Sequence, residues 1–281
     1  MFASWFLIIP STNSALATAT NFNYGRSRVI IPSEEFILKT ILRADISAME
    51  NKQNTPKKIA WVAGATGLIG GHIVQQLCDD NQYDRVVAFV RRGKELSLKH
   101  EKLELFDCDW DQILEIAISG GSTFKAPTAH VDDLFCALGS TTKRTPDKTL
   151  YQRIDVEYPQ AFAKLGKSRG ARFFGLVSAH GANTKLPSFY LGMKKEVEQR
   201  IRDADYPNVA IARPSLLLGE RSEFRLAESA SEWFCKLLPG NYKAIEAYDV
   251  AAALIKAAAN HEAGCHILES ASMQKTYRHA E

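Results

Sequence analysis

Tyr190 and Lys194 stand four residues apart in Tyr190-Leu-Gly-Met-Lys194. On a helix that spacing brings both side chains to one face, one turn apart. A phenol with a free pKa near ~10 is a poor proton donor and acceptor at neutral pH. A lysine ammonium beside it stabilises the phenolate and brings the couple into range for general acid–base work. Tyr-x-x-x-Lys is common by chance, so position must support it. Here it follows Ser178, a hydroxyl at the end of an apolar strand pattern, by twelve residues. Proton transfer to or from an oxygen is the chemistry these residue types permit.

The elements that would position them follow a regular rhythm from Lys58 onward. Short apolar runs predict strands at Ile59–Ala63, Arg85–Val90, Lys102–Phe106, Asp133–Ala137, Arg172–Val177 and Asn208–Ala212, with a last one at His266–Leu268. Apolar residues at helical spacing predict helices over Leu68–Cys78, Trp110–Ile118, Thr149–Ser168, Phe189–Ala204, Ser229–Leu238 and Ala247–Asn260. Pro159 either kinks the third of these or marks a first turn. Strands joined by crossover helices predict a doubly wound, mostly parallel α/β sheet of the Rossmann type with a small C-terminal substrate-binding portion.

The turn after the first strand reads Ala63-Gly-Ala-Thr-Gly-Leu-Ile-Gly-Gly71. Gly64 permits a tight turn, Gly67 a close backbone approach to a pyrophosphate, and Gly70 close seating of the helix on the sheet. Gly64, Thr66, Gly67, Leu68, Ile69 and Gly70 are therefore candidate dinucleotide contacts, with the helix N-terminus facing the phosphates. The second strand ends Phe89-Val-Arg91-Arg92. An acidic residue there would bind the ribose hydroxyls of NAD. Two arginines suit the 2′-phosphate instead, so NADP(H) is favoured over NAD(H).

The glycine turn, the arginine pair, Leu105-Phe-Asp-Cys-Asp-Trp110, Phe135-Cys-Ala-Leu-Gly-Ser-Thr-Thr142, Leu176-Val-Ser-Ala-His-Gly181, Tyr190-x-x-x-Lys194 and Arg213-Pro-Ser-Leu-Leu-Leu-Gly219 come in one order. That order resembles the short-chain dehydrogenase/reductase superfamily over residues 58–270, in its atypical, extended-like branch. It is most similar to the subgroup of Tat-interacting oxidoreductase-like proteins and their bacterial relatives. The resemblance implies Asp107 and Cys108 near the adenine, and Leu138 and Gly139 along the diphosphate and nicotinamide ribose. It implies Ser178 binding the substrate carbonyl, Tyr190 as acid/base, and Lys194 on the ribose hydroxyls. Two departures stand out. Many relatives have two adjacent serines where this chain has Ser178-Ala179, so His180 or water would substitute if the second were the working one. In extended members an asparagine in the helix after the fourth strand relays protons to the lysine. Asp155 falls near that place, although a surface carboxylate is the favoured reading. Arg213 would bind an acidic substrate or pair with a carboxylate, and Trp233 and Phe234 would cover the pocket or pack in the core.

The 281 residues are 46% apolar and 24% charged, with a net charge of +3. This composition excludes collagen-like and wholly disordered chains, and the mild charge gives no support for nucleic-acid binding. Five scattered cysteines without paired spacing point away from metal ribbons and disulfide frameworks and toward a cytoplasmic location. Residues 1–57 contain no recognisable chemistry and read as a disordered extension or an over-extended start, with Met49 the expected initiator. Phe2–Pro10 is too short to span a bilayer, and Ala15-Leu-Ala17 imitates a signal cleavage site without a basic n-region. Residues 58–281 would form one nucleotide-binding domain, with about 215–281 as its substrate portion, acting as a monomer or homodimer. Two functions follow: NADP(H)-dependent reduction of a small-molecule carbonyl or oxidation of an alcohol, or NADPH binding by a regulatory or scaffold protein with little turnover.

Overall fold

The computed structural model describes residues 20–24, 27–31, 39–40, 57–120, 125–184, 188–218 and 244–275. The chain divides into two compact units, Met1–Pro56 and Lys57–Glu281. The first contains an antiparallel hairpin of β1 (Thr20–Tyr24) and β2 (Ser27–Ile31), paired from Thr20 with Ile31 to Tyr24 with Ser27.

The second unit is built on seven strands: β3 (Lys58–Ala63), β4 (Tyr83–Arg91), β5 (Leu103–Cys108), β6 (Asp133–Cys136), β7 (Phe173–Val177), β8 (Asn208–Arg213) and β11 (Gly264–Glu269). Their order is β5-β4-β3-β6-β7-β8-β11, and every neighbouring pair is parallel. This is the doubly wound arrangement that the strand–helix rhythm implies. The order reverses between β3 and β6, and such a switch point opens a crevice at the carboxyl ends of the strands.

Both sheet faces are covered, which is why the central strands are apolar throughout and not alternating. On one face α1 (Leu68–Asp79) and α6 (Ala247–Asn260) seat Ile73, Leu77, Val250 and Leu254 against Val62, Val86 and Ala88. On the other lie α2 (Trp110–Ser119), α4 (Tyr158–Ser168) and α5 (Phe189–Arg202), over an aromatic layer of Trp61, Phe89, Trp110, Phe162 and Phe174. Asp109 caps α2, its Oδ1 accepting the Asp111 and Gln112 N–H groups, and Gly120 closes it in the left-handed conformation at φ 68°.

Two findings differ from the sequence reading. The helix expected over Thr149–Ser168 is three pieces: α3 (Lys148–Gln152), a π turn (Arg153–Glu157) and α4. Pro159 lacks an N–H and its ring would crowd the Asp155 carbonyl four residues back. The wider turn, closed by Tyr158 N–H donating to Arg153 O, accommodates it. Second, much of the stretch assigned to substrate binding completes the nucleotide-binding layers. Strand β11 extends the main sheet beside β8, α6 lies across α1, and α7 (Ser270–Lys275) follows β11. A small parallel pair, β9 (Leu217–Leu218) with β10 (Ile245–Glu246), stands apart from that sheet. Gly219, Trp233, Phe234 and the helix expected over Ser229–Leu238 lie outside the described residues. Among the described residues no helix is long and apolar enough to cross a membrane.

Candidate active site

A cleft of about 530 Å³ opens at the switch point. Its floor is the glycine turn. Gly64 has φ +80°, and a Cβ there would lie 2.5 Å from the Ala137 carbonyl, so β3 and the end of β6 touch backbone to backbone. Gly70 is tighter still: its Cβ would fall 2.1 Å from the Gly64 carbonyl oxygen, so α1 sits directly on the turn. Gly67 caps α1 without any side-chain bond, which leaves first-turn N–H groups for an anion. A cradle that side chains would fill, at a positive helix end, fits a pyrophosphate.

Most of the nominated contacts line this cleft: Gly64, Thr66 and Gly67 on the floor, Arg91 and Arg92 at the tip of β4, Cys108 at the end of β5, and Leu138 and Gly139 after β6. Both arginines are exposed at its mouth, a geometry that suits a phosphomonoester. Ile69 and Gly70 are buried behind the floor and act by packing, and Leu68 packs against the same core. Asp107 points outward from β5 and is exposed; the cleft wall there is Cys108 and Asp109. Burial, with Asp109 and then Asp107 nearby, pushes the Cys108 thiol up to about 12, so it meets the cleft as a neutral S–H. The sequence reading did not single out Arg144 and Thr145 on the far wall. Thr145 Oγ1 and Ser140 Oγ share a hydrogen bond of 2.6 Å, which folds that loop against the strand end.

The reactive pair lies beside Gly139. Tyr190, Lys194 and Glu198 recur at four-residue intervals along α5, forming one polar stripe on its inward face. Tyr190 is half-buried, and the Lys194 Nζ lies 5.7 Å from its ring centroid. Lys194 is buried, and its Nζ is 2.9 Å from Asp155 Oδ1. Asp155 Oδ2 accepts the Ser140 N–H at 2.7 Å. The expected surface carboxylate is therefore a correction: Asp155 is 1% exposed, because it shares the buried helix face of Tyr151, four residues before it, and Tyr158, three after. A Cβ on Gly139 would be 3.4 Å from Asp155 Oδ1 and 3.7 Å from Lys194 Nζ, so cleft backbone and ion pair are in contact range. Burial works against the Lys194 ammonium, but the charges of Asp155 and Tyr190 and the Asp155 hydrogen bond outweigh it and hold its pKa above the ordinary lysine value.

Ser178 is placed differently from the expectation. It is buried, and its hydroxyl donates to Glu198 Oε1 at 2.7 Å, beneath the strand end. The same carboxylate accepts Arg213 Nε at 2.9 Å and Nη2 at 2.6 Å, with Arg202 Nη2 at 3.2 Å. Arg213 Nη1 reaches Glu269 at 3.1 Å, and His180 Nδ1 lies 4.0 Å from that residue's other oxygen. Burial would raise the Glu198 pKa, but the Arg213 and Ser178 hydrogen bonds and the arginine charges outweigh it and hold it below the ordinary value. Arg213 thus pairs with carboxylates, which decides between its two readings. Glu198 was missed, although its four-residue offset from Lys194 was visible in the sequence.

A parallel sheet with a switch-point cleft, a glycine cradle and a Tyr–Lys pair beside it define a nicotinamide-dinucleotide-binding Rossmann protein of the atypical short-chain dehydrogenase/reductase type. The comparisons agree, and the chain belongs to the NAD(P)H-binding family, whose model matches residues 64–261. It is 31% identical over 206 residues to Protein FMP52, mitochondrial, from Lodderomyces elongisporus, covering 67% of this chain and 82% of that one. It is 28% identical over 213 residues to Protein HTATIP2 from Rattus norvegicus, covering 74% and 79%. Among solved structures, a short chain dehydrogenase family protein from Francisella tularensis superposes with TM-score 0.57 at 14% identity, covering 78% of this chain and 100% of that one. Bordetella bronchiseptica WbmH, in complex with NAD+, gives 0.55 at 14% identity, covering 78% of each. The expected cytoplasmic location is corrected by these relatives: the proteins from Lodderomyces, Scheffersomyces, Candida and Debaryomyces are named as mitochondrial. Scattered cysteines without paired spacing do not single out the cytosol.

Proposed function

We propose that this protein is an NADP(H)-dependent oxidoreductase that reduces a small-molecule carbonyl, or oxidises the alcohol, with Tyr190 as acid/base. The observation that supports it is the Tyr190–Lys194–Asp155 cluster in contact range of Gly139, at the edge of the glycine-floored cleft. The dinucleotide, when bound, supplies or accepts a hydride. Tyr190 Oη donates its proton to the oxygen that becomes an alkoxide, and the phenolate regains one from solvent. Lys194 orients the ribose hydroxyls and presents its charge to Tyr190. Arg91 and Arg92 take the 2′-phosphate, which favours NADP(H). The hydroxyl of Ser178 is committed to Glu198, so the substrate oxygen depends on Tyr190 and a neighbouring backbone or water donor.

That same commitment, with Ala179 at the next position, favours a second reading: an NADPH-binding regulatory protein with little turnover. The test is NADPH consumption with a panel of aldehydes, ketones and quinones. The oxidoreductase reading expects turnover that Tyr190→Phe abolishes, with NADPH affinity changed less than about twofold. Tight NADPH binding without turnover by any member refutes it in favour of the second. Mitochondrial delivery is inferred from the relatives' names and from composition: the residues before Glu34 contain no Asp or Glu, include Arg26 and Arg28, and are rich in Ser and Thr.

A further inference from the structure

The ion pair behind Tyr190 differs from the arrangement the resemblance implies, in which a neutral asparagine serves the lysine. Here the group is a carboxylate with no exposed side-chain surface, set against a lysine side chain only 6% exposed. A buried ammonium without a counter-charge loses its proton readily, with its pKa falling by up to ~3–5 units. The titratable groups facing Lys194 are Asp155 from the π turn, Tyr190 on its own helix and Tyr151 from α3, with the buried Cys136 thiol at the end of β6. Asp155 is the strongest of them, and it is itself fixed by the Ser140 N–H at 2.7 Å. It lies in the π turn, on the buried face it shares with Tyr151 and Tyr158.

We propose that Asp155 is the positioning residue of this site: its carboxylate keeps Lys194 an ammonium, aims it between Gly139 and Tyr190, and so extends the reaction to alkaline pH. The proposal rests on Tyr190 and Lys194 being the reacting pair. Asp155 touches neither substrate nor cofactor and works through the lysine. Without it, Lys194 is neutral at a pH where the native protein still holds it charged, and its grip on the ribose and its field at Tyr190 are lost together.

The test is Asp155→Asn, followed without cofactor by NMR of protein labelled with ¹³C at lysine Cε, with the Lys194 signal assigned by its loss in Lys194→Met. In the native protein the Lys194 midpoint should lie at or above the ordinary lysine value of 10.5. In the variant it should fall by two pH units or more. With cofactor, the variant should lose more carbonyl-reduction activity at alkaline pH than at pH 6, its alkaline limb lying below the native one. A merely structural role would lower activity equally at all pH values. A native midpoint below 10.5, or an unmoved midpoint or limb in the variant, overturns the assignment, and the native measurement stands even if the variant does not fold. A native protein without turnover overturns the oxidoreductase reading, and the catalytic bearing of Asp155 with it. Tyr190-dependent turnover with an unmoved limb overturns the Asp155 assignment alone.

Discussion

Replacing Gly70 with alanine sets two effects of opposite sign against each other. Alanine is the better helix former by about 1 kcal/mol. Its Cβ, however, would lie 2.1 Å from the Gly64 carbonyl oxygen and 2.7 Å from the carbonyl carbon, where 3.4 Å or more is ordinary contact. Those atoms are backbone, in a turn wedged against Ala137, and cannot rotate away as a side chain would. The start of α1 must withdraw by roughly 1 Å, an overpacking that costs about 1–3 kcal/mol, here toward the upper end. The clash wins, and a net loss of about 2 kcal/mol should lower Tm by about 5 °C. The same withdrawal carries the first-turn N–H groups beyond hydrogen-bond reach of a phosphate. One charge-assisted bond lost, at about 1.5–3 kcal/mol, weakens NADPH binding by about 10- to 100-fold. Gly71 is the control. Its Cβ would stand 3.7 Å from Ala65 O, so Gly71→Ala takes the helix-propensity gain without the clash and should melt at or slightly above the native temperature. Thermal unfolding by circular dichroism and NADPH titration by quenching of Trp110, which lines the cleft, read both effects. The reasoning fails if Gly70→Ala melts and binds like the native protein, or if the two alanines do equal damage.

Arg91→Ala with Arg92→Ala should weaken NADPH at least tenfold more than NADH in calorimetric titration; equal losses would refute a 2′-phosphate contact. Glu198→Gln removes one of the two carboxylates that pair with the buried Arg213 and should cost about 1.5–3 kcal/mol at pH 7 in urea unfolding. Because the Glu198 pKa is lowered from 4.5, its contribution is present above that value and is lost as pH falls through the folded value. Native and variant should therefore converge in acid, and a constant difference would contradict the pairing. A fluorescent fusion of residues 1–56 should enter isolated mitochondria, with Arg26→Glu and Arg28→Glu abolishing import; uptake indifferent to those charges would sink the composition argument.

Much of the fold is legible in the sequence because its determinants are local. Apolar periodicity places the seven strands of the main sheet and α1, α2, α5 and α6 within a residue or two, and the glycine turn's stereochemistry is written in consecutive residues. The arginine tip of β4 is legible for the same reason: Arg91 and Arg92 directly follow the apolar run that forms the strand. The π turn is different. Helical periodicity assumes an unbroken α-helix and gives no sign of the wider turn at Arg153–Glu157, although the spacing of Asp155 from Tyr151 and Tyr158 already sets it on their buried face.

What the sequence alone determined is the class: a doubly wound domain with a dinucleotide cradle and a Tyr–Lys pair, all products of short-range spacing. What only tertiary structure decided is where the polar side chains around that pair are spent. Ser178 meets Glu198 twenty residues on, and Arg213 meets Glu269 fifty-six residues on. Asp155 meets Lys194 across two elements. A buried charge takes whichever partner the packed core brings within about 3 Å, and no local rule of periodicity reports that distance.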